Sequence, residues 1–213
     1  FSKTIIMAKI KTKRERVKFA SDNVAGACPE VLEAIIKANE GDSTPYGNDQ
    51  ISTELQDKFS KIFEKEVIVF PTASGTAANA LALSTMTPSF GNIYCHEISH
   101  INVDECGAPE FFTGGAKLIA LKGADGKITA DDLQKNIRGW GVVHNTQPAS
   151  VSITQACETG LVYQLNEVSA ISELAHKHNV GVEAQIGETL AEEGEIEGKE
   201  RKTTVQEAAQ FVR

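Results

Sequence analysis

The stretch "PTASGTAANALAL", residues 71–83, follows directly on the apolar run "VIVF" at 67–70. Ser74, Gly75 and Thr76 stand at the hinge between them. A helix that opens there presents unpaired N–H groups and a partial positive charge, which favour an anion. Gly75 lets the backbone come close, and the hydroxyls of Ser74 and Thr76 add donors suited to phosphate oxygens. The same three residues also suit a plain capped helix start, and both readings stand on the hinge alone.

The elements that must position this corner follow from periodicity. Residues 28–39, "CPEVLEAIIKAN", read as a helix with Pro29 in its first turn and Gly41 as a stop signal. Residues 50–64 read as a second helix, with Ile51, Leu55, Phe59 and Ile62 on one face. "VIVF" reads as a short buried strand, and residues 75–85 as the next helix. "GNIYC" and "AKLIAL" are strands separated by a long loop. Thr129 and Asp132 form a capping-box pattern that opens a helix carrying Leu133 and Ile137. "ASVSITQA" is a strand, Asn166 caps a helix through "EVSAISELAHKHN", and "VGVEAQIG" is the last strand. Alternating strands and helices imply an α/β fold with a mostly parallel sheet covered on both faces. Ligands of such sheets sit at the carboxyl ends of strands, which brings Ser74, His100 and Gln155 into one neighbourhood.

Composition narrows the class. The chain has 213 residues, 41% hydrophobic and 23% charged, enough for one ordinary globular domain, or for one and a part of another. Its formal net charge of −8 argues against nucleic-acid binding. No stretch reaches the length of an apolar membrane span. Cys28, Cys95, Cys106 and Cys157 are scattered without a C-x-x-C pair, and read as reduced residues of a cytoplasmic protein. No metal site is expected of them. Residues 1–16 read as a basic lead-in, and the first methionine, Met7, suggests either a later start or a fragment. A composition shift falls near residue 182, after which seven glutamates follow between Glu183 and Glu200.

Five segments recur in a telling order: "SDN" (21–23), "PYGND" (45–49), "PTASGTAANALAL", "CHEISHINVDECGAPEFFTGGAKL" (95–118) and "SITQACETGLVYQLNEVSAI" (152–171). This succession, over residues 17–181, resembles the threonine aldolase/β-eliminating lyase family. The resemblance implies a pyridoxal-phosphate-dependent large domain of the aspartate-aminotransferase-like fold type I. It implies a lyase that cleaves β-hydroxy-α-amino acids to glycine and an aldehyde, in a homodimer or tetramer. β-Elimination or transamination on the same fold, and a non-catalytic remnant, are the alternatives. By position, Ser74, Gly75 and Thr76 match the phosphate-cradling turn. His100 matches the histidine that stacks on the cofactor ring and serves as a base near the substrate hydroxyl, with His96 as a weaker stand-in. Ser21 matches a serine that holds the substrate carboxylate, and Tyr46, Gly47 and Asp49 a loop that reaches an active site across a dimer interface. Glu105 matches an acidic residue near the cofactor, while Gln155 and Glu158 lie in a matching strand end without an assigned role. His144, His176 and His178 read as surface or filler histidines.

The pattern departs at "VGVEAQIGETLAEEG". The family's H-M-D-G-A-R strand has an aspartate for the pyridine nitrogen and an arginine, and neither is present. The lysine that would hold the cofactor covalently has no counterpart, since Lys199 and Lys202 lie in a charged run. Residues 180–213 instead resemble an internal piece of a class II ketose-bisphosphate aldolase, with Gln185 replacing an expected glutamate. The expectation is therefore a chimeric or truncated chain with little or no activity.

Overall fold

A computed structural model describes residues 25–186. Pro29 opens α1 (Pro29–Ala38), and Asp49 caps α2 (Gln50–Ile62). Ser74 caps α3 (Gly75–Met86), which leads into β1 (Gly91–His96). Two short helices, α4 (His100–Val103) and α5 (Ala108–Phe112), fill the connection to β2 (Lys117–Leu121). Then come α6 (Ala130–Asn136), β3 (Gln147–Gln155), α7 (Leu165–Lys177) and β4 (Gly181–Ile186).

All pairings among the four strands are parallel, in the order β2-β1-β3-β4. Side chains alternate across this sheet and build a core on each face. Tyr94, Val151 and Ile153 pack with Leu133 of α6 and Val168, Ile171 and Ala175 of α7. Ile93 and Cys95 point the other way, to Leu83 of α3 and Ile101 of α4. β1 therefore sends Asn92 and Tyr94 to one face and its odd-numbered residues to the other. At its entrance Gly91 is hemmed in: an added Cβ would lie 2.7 Å from Thr87 Cγ2 and 2.9 Å from both Ala149 Cβ and the Pro88 carbonyl.

The capping box is present as expected. Thr129 Oγ1 accepts from Asp132 N–H (3.1 Å), and Asp132 Oδ2 accepts from Thr129 N–H (3.0 Å). Two expectations are corrected. The last helix begins at Leu165 after an N-cap at Gln164, two residues before Asn166. Gln164 N–H donates to Glu167 (2.6 Å), and Lys127 Nζ holds both Glu167 oxygens at 2.8 Å, so the first turn is fixed from the Gln164 side. Residues 67–70 form no strand, and Ile68 and Phe70 are exposed. The Val69 N–H and carbonyl are taken by the Gln56 side-chain amide (both 3.2 Å), and Val67 N–H by Ser60 Oγ (3.3 Å). Side chains of α2 thus satisfy this backbone in place of a neighbouring strand. β4 stays paired with β3 through Gln155 and Ile186. Ser21, the basic lead-in and the aldolase-like tail beyond residue 186 lie outside the described residues.

Candidate active site

Ser74 has extended backbone angles, and its Oγ accepts the Ala77 N–H (3.2 Å) while its carbonyl takes the Ala78 N–H (3.1 Å). Among the described residues this leaves the Gly75 and Thr76 N–H groups without an acceptor, facing outward at the helix start. A Cβ added at Gly75 would meet nothing within 4 Å, so the approach is open.

Asn79, one turn further on the same helix face, was not singled out by the sequence. It is buried, and its Nδ2 donates to Glu105 Oε1 (2.7 Å) and Gln185 Oε1 (3.3 Å). One amide thereby ties α3 to the segment after β1 and to the end of β4. The available signal was an asparagine inside an Ala/Leu-rich helix, where it is otherwise unfavourable.

Glu105 Oε1 also meets His100 Nδ1 at 2.9 Å. The Glu105 side chain is fully buried, and that of His100 is 40% exposed. A carboxylate beside Nδ1 assigns the proton to that nitrogen and leaves the Nε2 lone pair for another partner. Nε2 is 3.8 Å from Asp104 Oδ2 and on the open side of the ring. Glu105 Oε2 is buried and has no hydrogen-bond partner among the described residues. His100 N–H donates to Glu158 Oε1 (3.1 Å), which gives Glu158 a role in holding the start of α4.

The other candidates separate. His96 is buried, with Nδ1 accepting from Ile98 N–H (3.2 Å) and Nε2 facing the Gly123 carbonyl (3.1 Å); both nitrogens are occupied by backbone. Gln155 clamps the loop before α7, accepting from Tyr163 N–H (2.8 Å) and donating to its carbonyl (3.2 Å). Asp49 uses both carboxylate oxygens on Ser52, at 2.9 Å and 2.8 Å, which holds it below the usual carboxylate range. Tyr46 is 97% exposed. Among the described residues no hydrogen bond joins Tyr46 or Asp49 to the His100–Glu105 pair.

Glu183 lies on the same sheet face as Gln185 and accepts from Ser152 Oγ. Burial pushes its carboxyl up to about 7; the Ser152 hydroxyl opposes this, and the nearby Glu105 adds to it. β4 therefore offers a neutral amide and an acid that titrates near neutrality, and no aspartate.

The parallel sheet with helices packed on it is the fold shared by the fold type I pyridoxal-phosphate-dependent enzymes. The structure of threonine aldolase from Leishmania major superposes with a TM-score of 0.71 at 24% identity, covering 78% of this chain and 48% of that one. The alanine aminotransferase of Pyrococcus furiosus shares the fold at a TM-score of 0.51 and 17% identity, covering 73% and 39%. The sequence model of the β-eliminating lyase family matches residues 18–184, and the chain belongs to that family. It is 44% identical over 155 residues to the low specificity L-threonine aldolase of a Pseudomonas species, and 41% identical to that of Pseudomonas aeruginosa. Both matches take in 73% of this chain and 45% of the relative, so the chain spans a little under half the length of these proteins.

The residues present fit a phosphate-bearing cofactor with a polar ring. Among the described residues the Gly75 and Thr76 N–H groups have no acceptor, the space over Gly75 is open, and a buried Glu105 oxygen lacks a partner.

Proposed function

We propose that the chain carries the cofactor-cradling and proton-handling part of a pyridoxal-phosphate-dependent lyase of the threonine aldolase type. The reaction is cleavage of a β-hydroxy-α-amino acid to glycine and an aldehyde. The observation that carries the reading is the His100–Glu105 pair, joined through Asn79 to the Ser74–Thr76 corner.

Ser74, Gly75 and Thr76 would hold the phosphate, with His100 and Glu105 beside the ring. Bound there, pyridoxal phosphate supplies the electron sink for the pair released when the Cα–Cβ bond breaks. Glu105 keeps the His100 proton on Nδ1, so Nε2 accepts the proton of the substrate hydroxyl as the aldehyde forms. Ser21 is assigned to the substrate carboxylate, and the Tyr46–Asp49 loop to the site of a second copy in a homo-oligomer. With Gln185 and no aspartate in β4, weak turnover is expected of this chain. The likeness of residues 180–213 to class II ketose-bisphosphate aldolases stands on sequence alone, and requires a ketose-bisphosphate cleavage that EDTA abolishes.

The test compares binding of pyridoxal phosphate and pyridoxal to the purified chain and to its Ser74→Ala variant. The phosphate ester is expected to bind at least about tenfold more tightly, with the gap narrowed in the variant. Equal affinity for the two compounds overturns the cofactor assignment. Products from L-threonine then decide the reaction: glycine with acetaldehyde supports the aldolase, and ammonia with a keto acid replaces it by an eliminating lyase.

A further inference from the structure

The opposite end of the sheet holds a polar cavity of about 340 Å³. Asn92 and Tyr94 of β1 pair with Lys117 and Ile119 of β2, so all four side chains rise on the same face. They line the cavity together with Arg138, just past the end of α6, and His144. The lining residues include Lys117, Arg138 and His144 but no aspartate or glutamate, in a chain whose formal net charge is −8.

Two buried atoms in this cavity lack partners among the described residues. Tyr94 is 1% exposed and Asn92 is 6% exposed; among the described residues neither Tyr94 Oη nor Asn92 Oδ1 makes a hydrogen bond of ordinary geometry, and the Asn92 side chain and the Arg138 N–H lie close to the Tyr94 hydroxyl. Such atoms are costly to bury unsatisfied. The Asn92 orientation follows from its Nδ2, which reaches the Thr146 carbonyl at 3.4 Å.

The outer wall is built in advance. The loop between α6 and β3 closes around the side chain of Gln147. Gln147 Oε1 accepts from Gly141 N–H (2.9 Å), and Nε2 donates to the carbonyls of Gly139 (3.0 Å), Val142 (3.3 Å) and Asn145 (2.9 Å). That clamp fixes the segment carrying His144 over the strands.

We propose that this cavity binds a small anion of phosphate-monoester chemistry, remote from the cofactor corner. Anionic oxygens meet Arg138 and Lys117 and accept from the Tyr94 hydroxyl. Asn92 Oδ1 can only accept, and a ligand that brings its own donor satisfies it while leaving the Tyr94 hydroxyl for the anionic oxygens. Monohydrogen phosphate and hydroxyl-bearing phosphate esters supply one; sulfate does not. Free phosphate and a sugar phosphate share this chemistry.

The test is a titration of the ¹⁵N-labelled 213-residue chain with sodium phosphate near neutral pH, at ionic strength held constant with chloride. The Asn92 side-chain amide and the backbone amides of residues 139–146 are expected to shift and saturate. Arg138→Gln, at an exposed position, should weaken this by at least about tenfold. Tyr94→Phe, which deletes one oxygen and keeps the packing, should weaken it as well, and sulfate should bind less well than phosphate. Glycerol phosphate binding more tightly than inorganic phosphate would favour an ester as the occupant. Shifts that do not saturate, shifts confined to Gly75 and Thr76, or affinities unchanged in both variants overturn the site. Equal binding of sulfate overturns the donor contact and with it the phosphate class.

Discussion

His100 Nδ1 lies 2.9 Å from Glu105 Oε1, a half-exposed imidazole against a fully buried carboxylate. The direction of that bond decides which nitrogen is available for chemistry. In the unmodified chain, long-range ¹⁵N–¹H correlations are expected to show the neutral ring protonated at Nδ1. In Glu105→Gln, the amide can donate to Nδ1 and release this preference, so the Nε2-protonated form should become populated. A ring already protonated at Nε2 in the unmodified chain is the result that contradicts the assignment.

Asn79 should matter more than its place in an Ala/Leu-rich helix suggests. Asn79→Ala removes a 2.7 Å bond to a buried carboxylate and is expected to cost about 2 kcal/mol. Asn79→Asp sets a second carboxylate beside Glu105 and should cost more. Urea denaturation of the two variants gives the order, and an aspartate variant as stable as the parent would refute it.

The amount of structure legible in the sequence depended on how local its causes are. The Thr129–Asp132 box is set by four consecutive residues and is found where the pattern puts it. The hinge at Ser74 was legible for the same reason. Strand character at 67–70 was not, because a strand exists only through its neighbour, and the Gln56 amide satisfies Val69 instead. The start of the last helix moved to Gln164 because Lys127, far away in sequence, anchors Glu167. Asn79 depends on a partner 26 residues on, and no local pattern carries that distance. His96 and His100 were close competitors in sequence, and only the backbone partners of His96 separate them.

Stability should fall as the pH rises across the weakly acid range. Burial raises Glu183 from 4.5 to about 7 in the folded chain, so between those values the folded state keeps a proton that the unfolded state has lost. The stabilisation is fully present below the lower value and gone above the upper one. It amounts to no more than about 3 kcal/mol. Glu183→Gln should remove this part of the slope. Denaturation midpoints measured near both ends of the range, in parent and variant, check it; parallel slopes would count against it.

Gly91→Ala should destabilise the chain by about 1–3 kcal/mol, because the new methyl meets two side chains and a carbonyl inside van der Waals contact. Thermal unfolding reads this directly. A neutral effect would mean that the turn at Thr87–Pro88 yields without cost.

The two-sided pattern of β1 bears on how this sequence can drift. Six residues join Gly91 to His96, with Asn92 and Tyr94 on one face and Ile93 and Cys95 on the other. Substitutions of similar shape leave that arrangement intact. A single inserted or deleted codon does not, since it would turn the polar pair toward α3 and the apolar pair toward α6. It would also shift the start of α4, and His100 with it. Relatives that keep both ends of the strand working should therefore vary here in residue identity and never in length.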